Sequence, residues 1–226
     1  MMARGLFVTG TDTGVGKTRV AVALIHALRA QGLRVAAMKP VAAGSATGAL
    51  NEDVVALIQA TNVEAAVRDV NPYAFERPIA PHLAAQLAGV RIELSVIVEA
   101  YSRLAAAADV VVVEGAGGWR VPLNEREDMA DLAQALGLPI VLVVGLRLGC
   151  LNHALLTAES IAHRRLPWAG WVGNSIDPGM AQQASNLTAL RERLPVPCLG
   201  VQDFILTPPL FTDAQSWLGL PTVLVS

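Results

Sequence analysis

Cysteine is scarce: Cys150 and Cys198 are the only two in 226 residues. Two thiols cannot build the disulfide framework of a small exported domain, and neither stands in a CxxC or cysteine–histidine metal spacing. Both are expected as reduced thiols. Aromatic residues make up only 4%, so the core must come from Ala, Val, Leu and Ile, as in buried parallel sheets. Neither sign of charge dominates, since 17 basic residues face 19 acidic ones for a formal net charge of −2. With no basic run to follow nucleic acid or anionic lipid, no nucleic-acid partner and no membrane partner is expected. Long apolar runs are missing too. Those present, such as Ile140–Val144, are strand-sized, and no charged segment followed by a long apolar stretch opens the chain. A cytoplasmic protein, neither exported nor membrane-spanning, is the expectation.

What is present begins with Gly10-Thr11-Asp12-Thr13-Gly14-Val15-Gly16-Lys17-Thr18, which follows the apolar run Leu6–Val8 and leads into an alanine- and valine-rich helical pattern. Strand, loop and helix in that order form a phosphate-binding loop. Backbone N–H groups and a helix N-terminus would face phosphate oxygens, Lys17 would add a cation, and the Thr18 hydroxyl would ligate magnesium. The first glycine lies one residue early, and Thr11 stands where GxxxxGK[ST] has Gly, so a side chain is tolerated beside the phosphates. The chain is expected to bind a nucleoside triphosphate.

Apolar strand-like runs recur at Leu6–Val8, Val35–Met38, Val110–Val113, Ile140–Val144, Ala169–Val172 and Cys198–Val201. Helical patterns alternate with them, near Lys17–Ala30, Glu52–Ala60, Ser95–Ala108, Met129–Leu136, Asn152–Arg165 and Ala181–Leu194. The alternation predicts a P-loop NTPase-like α/β fold: one domain over 1–226, with a mostly parallel central sheet and helices on both faces. The proline-bearing stretch Pro72–Pro81 reads as a surface connection. Ligands in such sheets bind beyond the carboxyl ends of the strands.

Three strand ends carry candidate chemistry. Lys39, just after Val35–Met38 and stopped by Pro40, would project into the phosphate site. Glu114, at the tip of Val110–Val113 and followed by Gly115-Ala116-Gly117-Gly118, is a natural magnesium ligand with Thr18 and Asp53 as companions. Gly149-Cys150-Leu151-Asn152 opens a helix with small residues and free backbone donors, a candidate carboxylate site. Packing or surface roles are expected for Cys150 as a side chain and for His26, His82, His153 and His163. Removing Lys17 or Lys39 is expected to cost turnover and leave the fold intact.

Taken in order, GTDTGVGKT, KPVAAGS, NPYAF with PHLAAQ, VEGAGGWRVPL, PIVLVVGLRLGCLNHALLT and AGWVGNSI resemble dethiobiotin synthetase, the ATP-dependent ring-closing family of biotin synthesis, from about Leu6 to Gly200. The resemblance implies a homodimer joining CO2 to 7,8-diaminononanoate, giving dethiobiotin, ADP and phosphate through a carbamate and a carbamic–phosphoric anhydride. It implies catalytic roles for Thr11, Lys17 and Lys39, and Mg2+ on Thr18, Asp53 and Glu114. ATP would meet Thr13 to Arg19 (Thr13, Gly14, Val15, Gly16, Lys17, Thr18, Arg19), Asp53, Glu114 to Gly117, Asn174 and Ser175, and Asp203, Phe204 and Ile205. The diamine would meet Thr11, Lys39, Ala43, Gly117, Gly118 and the backbone of Gly149 to Asn152 across the dimer interface. Asn174 would read the adenine, with Asp177 a turn residue despite the N-x-x-D spacing.

Three positions depart from the family pattern: Ala43 in place of a serine, with Ser45 two residues on; Asn186 in place of a tyrosine; and Val201–Ile205 without a proline. Two rival readings share the phosphate loop. A cobyrinate-type amidating synthetase needs a glutaminase domain, for which no residues remain. A partitioning or positioning ATPase wants a terminal basic amphipathic helix or basic patch, and Leu218–Ser226 is uncharged.

Overall fold

The computed structural model describes residues 4–45, 48–205 and 217–222. Along the chain run β1 (Arg4–Gly10), α1 (Lys17–Ala30), β2 (Val35–Met38), β3 (Val41–Ala43), α2 (Glu52–Ala60), α3 (Val67–Val70), β4 (Tyr73–Phe75), α4 (Pro81–Leu87), α5 (Leu94–Ala107), β5 (Val110–Glu114), α6 (Met129–Leu136), β6 (Ile140–Leu146), α7 (Cys150–His163), β7 (Trp168–Ser175), α8 (Gln183–Arg193) and β8 (Cys198–Gln202). Six strands form one sheet in the order β2-β5-β1-β6-β7-β8, and every ladder in it is parallel. β1, which delivers the phosphate loop, is central, so the loop emerges among the carboxyl ends of its neighbours.

Burial on both faces explains the composition. Every residue of β5 and β6 is buried, and β-branched side chains fill a pleated surface covered on each side. Leu6, Val8 and Val112 pack with α1 and with Leu57 and Ala60 of α2. Phe7, Val111 and Val113 face the other way, onto Ile97 and Leu104 of α5 and Met129 and Leu132 of α6. Farther along that second face, Leu142, Val144 and Trp171 pack with Ala154 of α7 and Leu190 of α8. Each fully buried aliphatic side chain contributes about 1.5–3 kcal/mol. The core therefore needs few aromatics.

All six expected strands and six expected helices form, with ends shifted by a few residues; α7, for example, begins at Cys150 rather than Asn152. One expectation is overturned. Pro72–Pro81 is no mere surface connection: it contains β4, which pairs in parallel with β3 in a separate two-stranded sheet, and it runs into α4 with Pro81 in its first turn. Proline lacks the N–H that the first turn leaves unpaired in any case, so it starts α4 rather than breaking it. Cys150 and Cys198 are both free thiols. Among the described residues no helix is long and apolar enough to cross a membrane.

Candidate active site

The loop between β1 and α1 is held by backbone geometry. Thr11 N–H donates to the Val143 carbonyl of β6 at 2.9 Å, and Gly14 and Gly16 sit at φ of 73° and 88°. Gly16 is the N-cap of α1 and offers no side-chain cap, so the first-turn N–H groups are left for a ligand. Asp12 ties the loop from inside: its Oδ1 accepts from Thr13 N–H at 2.7 Å, and its Oδ2 accepts from Arg147 Nη2 at 2.5 Å. Its carbonyl accepts from Lys17 Nζ at 2.9 Å.

Beside the loop, three oxygen-bearing side chains from separate elements converge. Thr18 Oγ1 lies 2.7 Å from Asp53 Oδ1 and 2.9 Å from Glu114 Oε1. Lys39 Nζ donates to Asp53 Oδ2 at 2.9 Å and to Glu114 Oε1 at 2.5 Å. Asp53 is brought in by the N-terminal turn of α2, whose cap Asn51 accepts from Asp53 N–H at 3.0 Å. Glu114 is 1% exposed, and its Oε2 has no hydrogen-bond partner among the described residues.

The charges respond to this crowding. Burial is the largest influence on Lys17, reinforced by the Lys39 charge and opposed by Glu114, Asp53 and Asp12, and its ammonium is lowered to about 8. Burial also opposes the Lys39 charge, yet Glu114 and Asp53 outweigh it and hold that ammonium above the ordinary lysine range. Asp53 is desolvated in turn, and Lys39 still draws its carboxyl below the usual value. In effect, two cations and two carboxylates share one corner, where Lys39 pairs with both Asp53 and Glu114 and Lys17 with neither.

These groups open onto a cleft of about 650 Å³ lined by Thr13, Gly14, Gly16, Lys17, Thr18, Lys39, Val41, Ala42, Ala43, Asn51, Asp53, Pro78, Ile79, Ala80, Pro81, Glu114, Ala116, Gly117 and Val121. That volume suits a small-molecule site. The wall Pro78–Pro81 and Asn51 escaped the sequence reading; the signal was there, in a helix-starting proline and an Asn two residues before Asp53.

Not every expected residue meets at the cleft. Thr11 accepts weakly from Gly145 N–H through its hydroxyl, at 3.4 Å, and does not line the cleft; Thr13 does. Ala43 lines it, whereas Ser45 does not and keeps a buried Oγ without a partner among the described residues. Val15 is buried and presents its carbonyl to Asn174 Nδ2 at 2.9 Å. Arg19 is half-buried on α1 outside the cleft lining. Gly115 backs onto Phe7 and Met129, and Gly118 approaches the Gly10 and Thr11 carbonyls. Asn174 and Ser175 end β7, and Asp203, Phe204 and Ile205 follow β8, both beyond that lining. Gly149 to Asn152 form the start of α7, also away from it, with the neighbouring Leu148 92% exposed. Asp177 turns its carboxylate onto Gly179 N–H at 2.9 Å, a local turn contact, and Asn186 donates to the Gln182 carbonyl on α8.

A family model described as an AAA domain matches residues 4–205. ATP-dependent dethiobiotin synthetase BioD of Nitrosospira multiformis is 55% identical over 200 residues, covering 88% of each chain. Its counterpart in Pseudomonas paraeruginosa is 54% identical over 198 residues, covering 86% of this chain and 87% of the relative. Among solved structures, the septum site-determining protein MinD complexed with Mg-ADP from Pyrococcus horikoshii superposes with a TM-score of 0.55 at 17% identity, over 88% of this chain and 81% of that one. Chloroplast FtsY from Physcomitrella patens reaches 0.54 at 19% identity, over 96% of this chain and 64% of that one. At such identities those structures speak to the fold alone, a P-loop α/β sheet. Identity above half over nearly nine-tenths of the chain speaks to more: the chain belongs to the ATP-dependent dethiobiotin synthetase family.

Proposed function

We propose that the cleft closes the ureido ring of dethiobiotin, with ATP bound at the phosphate loop and 7,8-diaminononanoate and CO2 beside Lys39. The observation that carries this reading is the meeting of two lysines and two carboxylates where the phosphate loop opens onto the cleft. One amine of the substrate attacks CO2 and loses a proton, forming a carbamate. A carbamate oxygen then attacks the γ-phosphorus and ADP leaves. The second amine attacks the carbonyl carbon of the mixed anhydride, phosphate departs, a proton is lost and the ring is closed.

ATP, the carbamate, the mixed anhydride, ADP and phosphate are all anionic, so the protein's task is to hold negative charges together. Lys17 exchanges its hold on the Asp12 carbonyl for the phosphates, and Lys39 supplies a permanent cation to the carbamate and the transferred phosphoryl group. Thr13, rather than Thr11, brings the loop hydroxyl to the reacting groups. Fixed cations at the cleft stabilise the developing charge without reorganising, and most of the remaining rate enhancement is positioning.

The donor set also fits a divalent cation. Among the described residues no three His, Cys, Asp or Glu side chains cluster. A hydroxyl and two carboxylates, one with an orphaned buried oxygen, nevertheless match the hard-oxygen preference of Mg2+ when phosphates complete the shell. Thr18, Asp53 and Glu114 would hold the ion, which when bound neutralises phosphate charge.

Gly149 to Asn152 of a second subunit would receive the substrate carboxylate, making the active form a homodimer, and the whole chain acts as one nucleotide-binding domain in the cytoplasm. Asn174 and Ser175, with Asp203 to Ile205, would surround the adenine. The reading is tested by assaying ADP formation with each component omitted. Turnover should need both diamine and bicarbonate; ADP release at full rate without the diamine would reject it.

A further inference from the structure

We propose that Gln202 reads the nucleotide base, offering a hydrogen-bond acceptor to the 6-amino group of adenine beside Asn174. β7 and β8 run parallel with Asn174 paired to Gln202. Paired residues in adjacent strands lie about 4.8 Å apart and share a face of the sheet. The face is defined on both sides. Val201 packs with the Leu142 and Trp171 cluster, so Gln202 points the opposite way. Asn174 on that opposite side donates to the Val15 carbonyl and stands where a Cβ on Gly16 would collide with it, at 2.2 Å. Gln202 therefore shares the phosphate-loop side with Asn174, at the carboxyl edge where ligands bind.

Gln202 is 4% exposed, and its Oε1 is buried with no partner among the described residues. A buried amide oxygen without a donor leaves its desolvation uncompensated, a cost that an apolar side chain on this strand would avoid. A ligand donor removes the cost. The part of a nucleotide that reaches past the loop is the base. Adenine presents an N6 donor beside its N7 acceptor, whereas guanine presents oxygen at the same position. An acceptor there therefore favours adenine, and one of the two Asn174 amide hydrogens is already engaged by Val15. The inference rests on the reading that the base sits at the ends of β7 and β8.

The test measures KM and kcat for ATP and for inosine triphosphate, whose base carries an oxo group in place of the 6-amino group, with diamine and bicarbonate saturating. Gln202→Met should raise the ATP KM by ~3- to 10-fold, the loss of one net hydrogen bond, with kcat nearly unchanged. It should also narrow the preference for ATP over inosine triphosphate, and its melting temperature should equal or exceed the wild-type value because the orphaned oxygen is gone. Gln202→Leu serves as the second apolar variant. Wild-type KM and preference in both apolar variants, with Asn174→Ala still weakening ATP, would overturn the role of Gln202 and leave the base site standing. No preference in the wild type, together with an unaffected Asn174→Ala, would remove the base site itself.

Discussion

Lys39 Nζ lies 2.5 Å from Glu114 Oε1 although the two residues are 75 positions apart, and the pair is buried. This contact changes what removal of the lysine should do. The sequence suggests a variant that loses turnover but keeps its fold. In the structure, Lys39→Ala leaves Glu114 buried and uncompensated, a loss of about 3–5 kcal/mol when one partner of a buried pair is deleted. Turnover should fall by ~100-fold or more, and the melting temperature should fall with it, as differential scanning calorimetry would show.

Magnesium should compensate part of that loss. A divalent cation among Thr18, Asp53 and Glu114 replaces the missing charge, so Mg2+ should raise the melting temperature of Lys39→Ala more than that of the wild type. In activity titrations Glu114→Gln should need about tenfold more Mg2+, equivalent to ~1.4 kcal/mol. An unchanged Mg2+ requirement in this variant would take Glu114 out of the ion's shell.

Gly14 and Gly16 should differ sharply on substitution although both have positive φ. An added Cβ at Gly14 meets nothing within 4 Å, while one at Gly16 lands 2.2 Å from Asn174 Nδ2. Gly14→Ala should therefore cost only backbone strain, about 1–2 kcal/mol. Gly16→Ala should in addition displace Asn174 and raise the ATP KM by more than tenfold, an order-of-magnitude expectation for one lost contact. Equal KM values in the two variants would contradict this.

Leu148 is 92% exposed and Leu156 on α7 is 57% exposed. Covering these side chains is part of the proposed homodimer. Leu148→Asp should shift the sedimentation coefficient towards the monomer and abolish dethiobiotin formation while leaving the far-ultraviolet circular dichroism unchanged. Mixing Lys17→Ala subunits with an Asn152 variant should restore part of the activity. Full activity in a monomeric Leu148→Asp protein would reject the shared site.

Asp177 accepts from Gly179 N–H at 2.9 Å, which occupies its carboxylate within its own turn. Asp177→Ala should leave the ATP KM and the preference for ATP over GTP unchanged, at a stability cost of about 0.5–1.5 kcal/mol for one lost hydrogen bond. A gain in GTP use would assign the carboxylate to the base.

The parallel sheet, its helices and the phosphate loop were legible from residues near one another in the chain. Residues 10–18 hold the loop glycines, Lys17 and Thr18 in one stretch, and hydrophobic periodicity is a local property that backbone geometry converts directly into strands and helices. Lys39, Asp53 and Glu114 were legible as candidates because each stands where a strand or helix terminus meets the ligand edge. Other features depended on contacts between segments that carry no such periodicity. Whether Thr11 or Thr13 faces the cleft follows from which way the loop turns once Asp12 is bound to Arg147. Asn174 reaches Val15 across 159 positions, and Gln202 shares its face only because β8 docks in one register against β7. Pro72–Pro81 looked like a connection because its turn residues are locally those of a loop; β3 and α4 make it a wall of the cleft. The sequence by itself determined the chemistry available at each strand end, while packing, by bringing distant ends together and desolvating them, decided which groups meet and in what charge state.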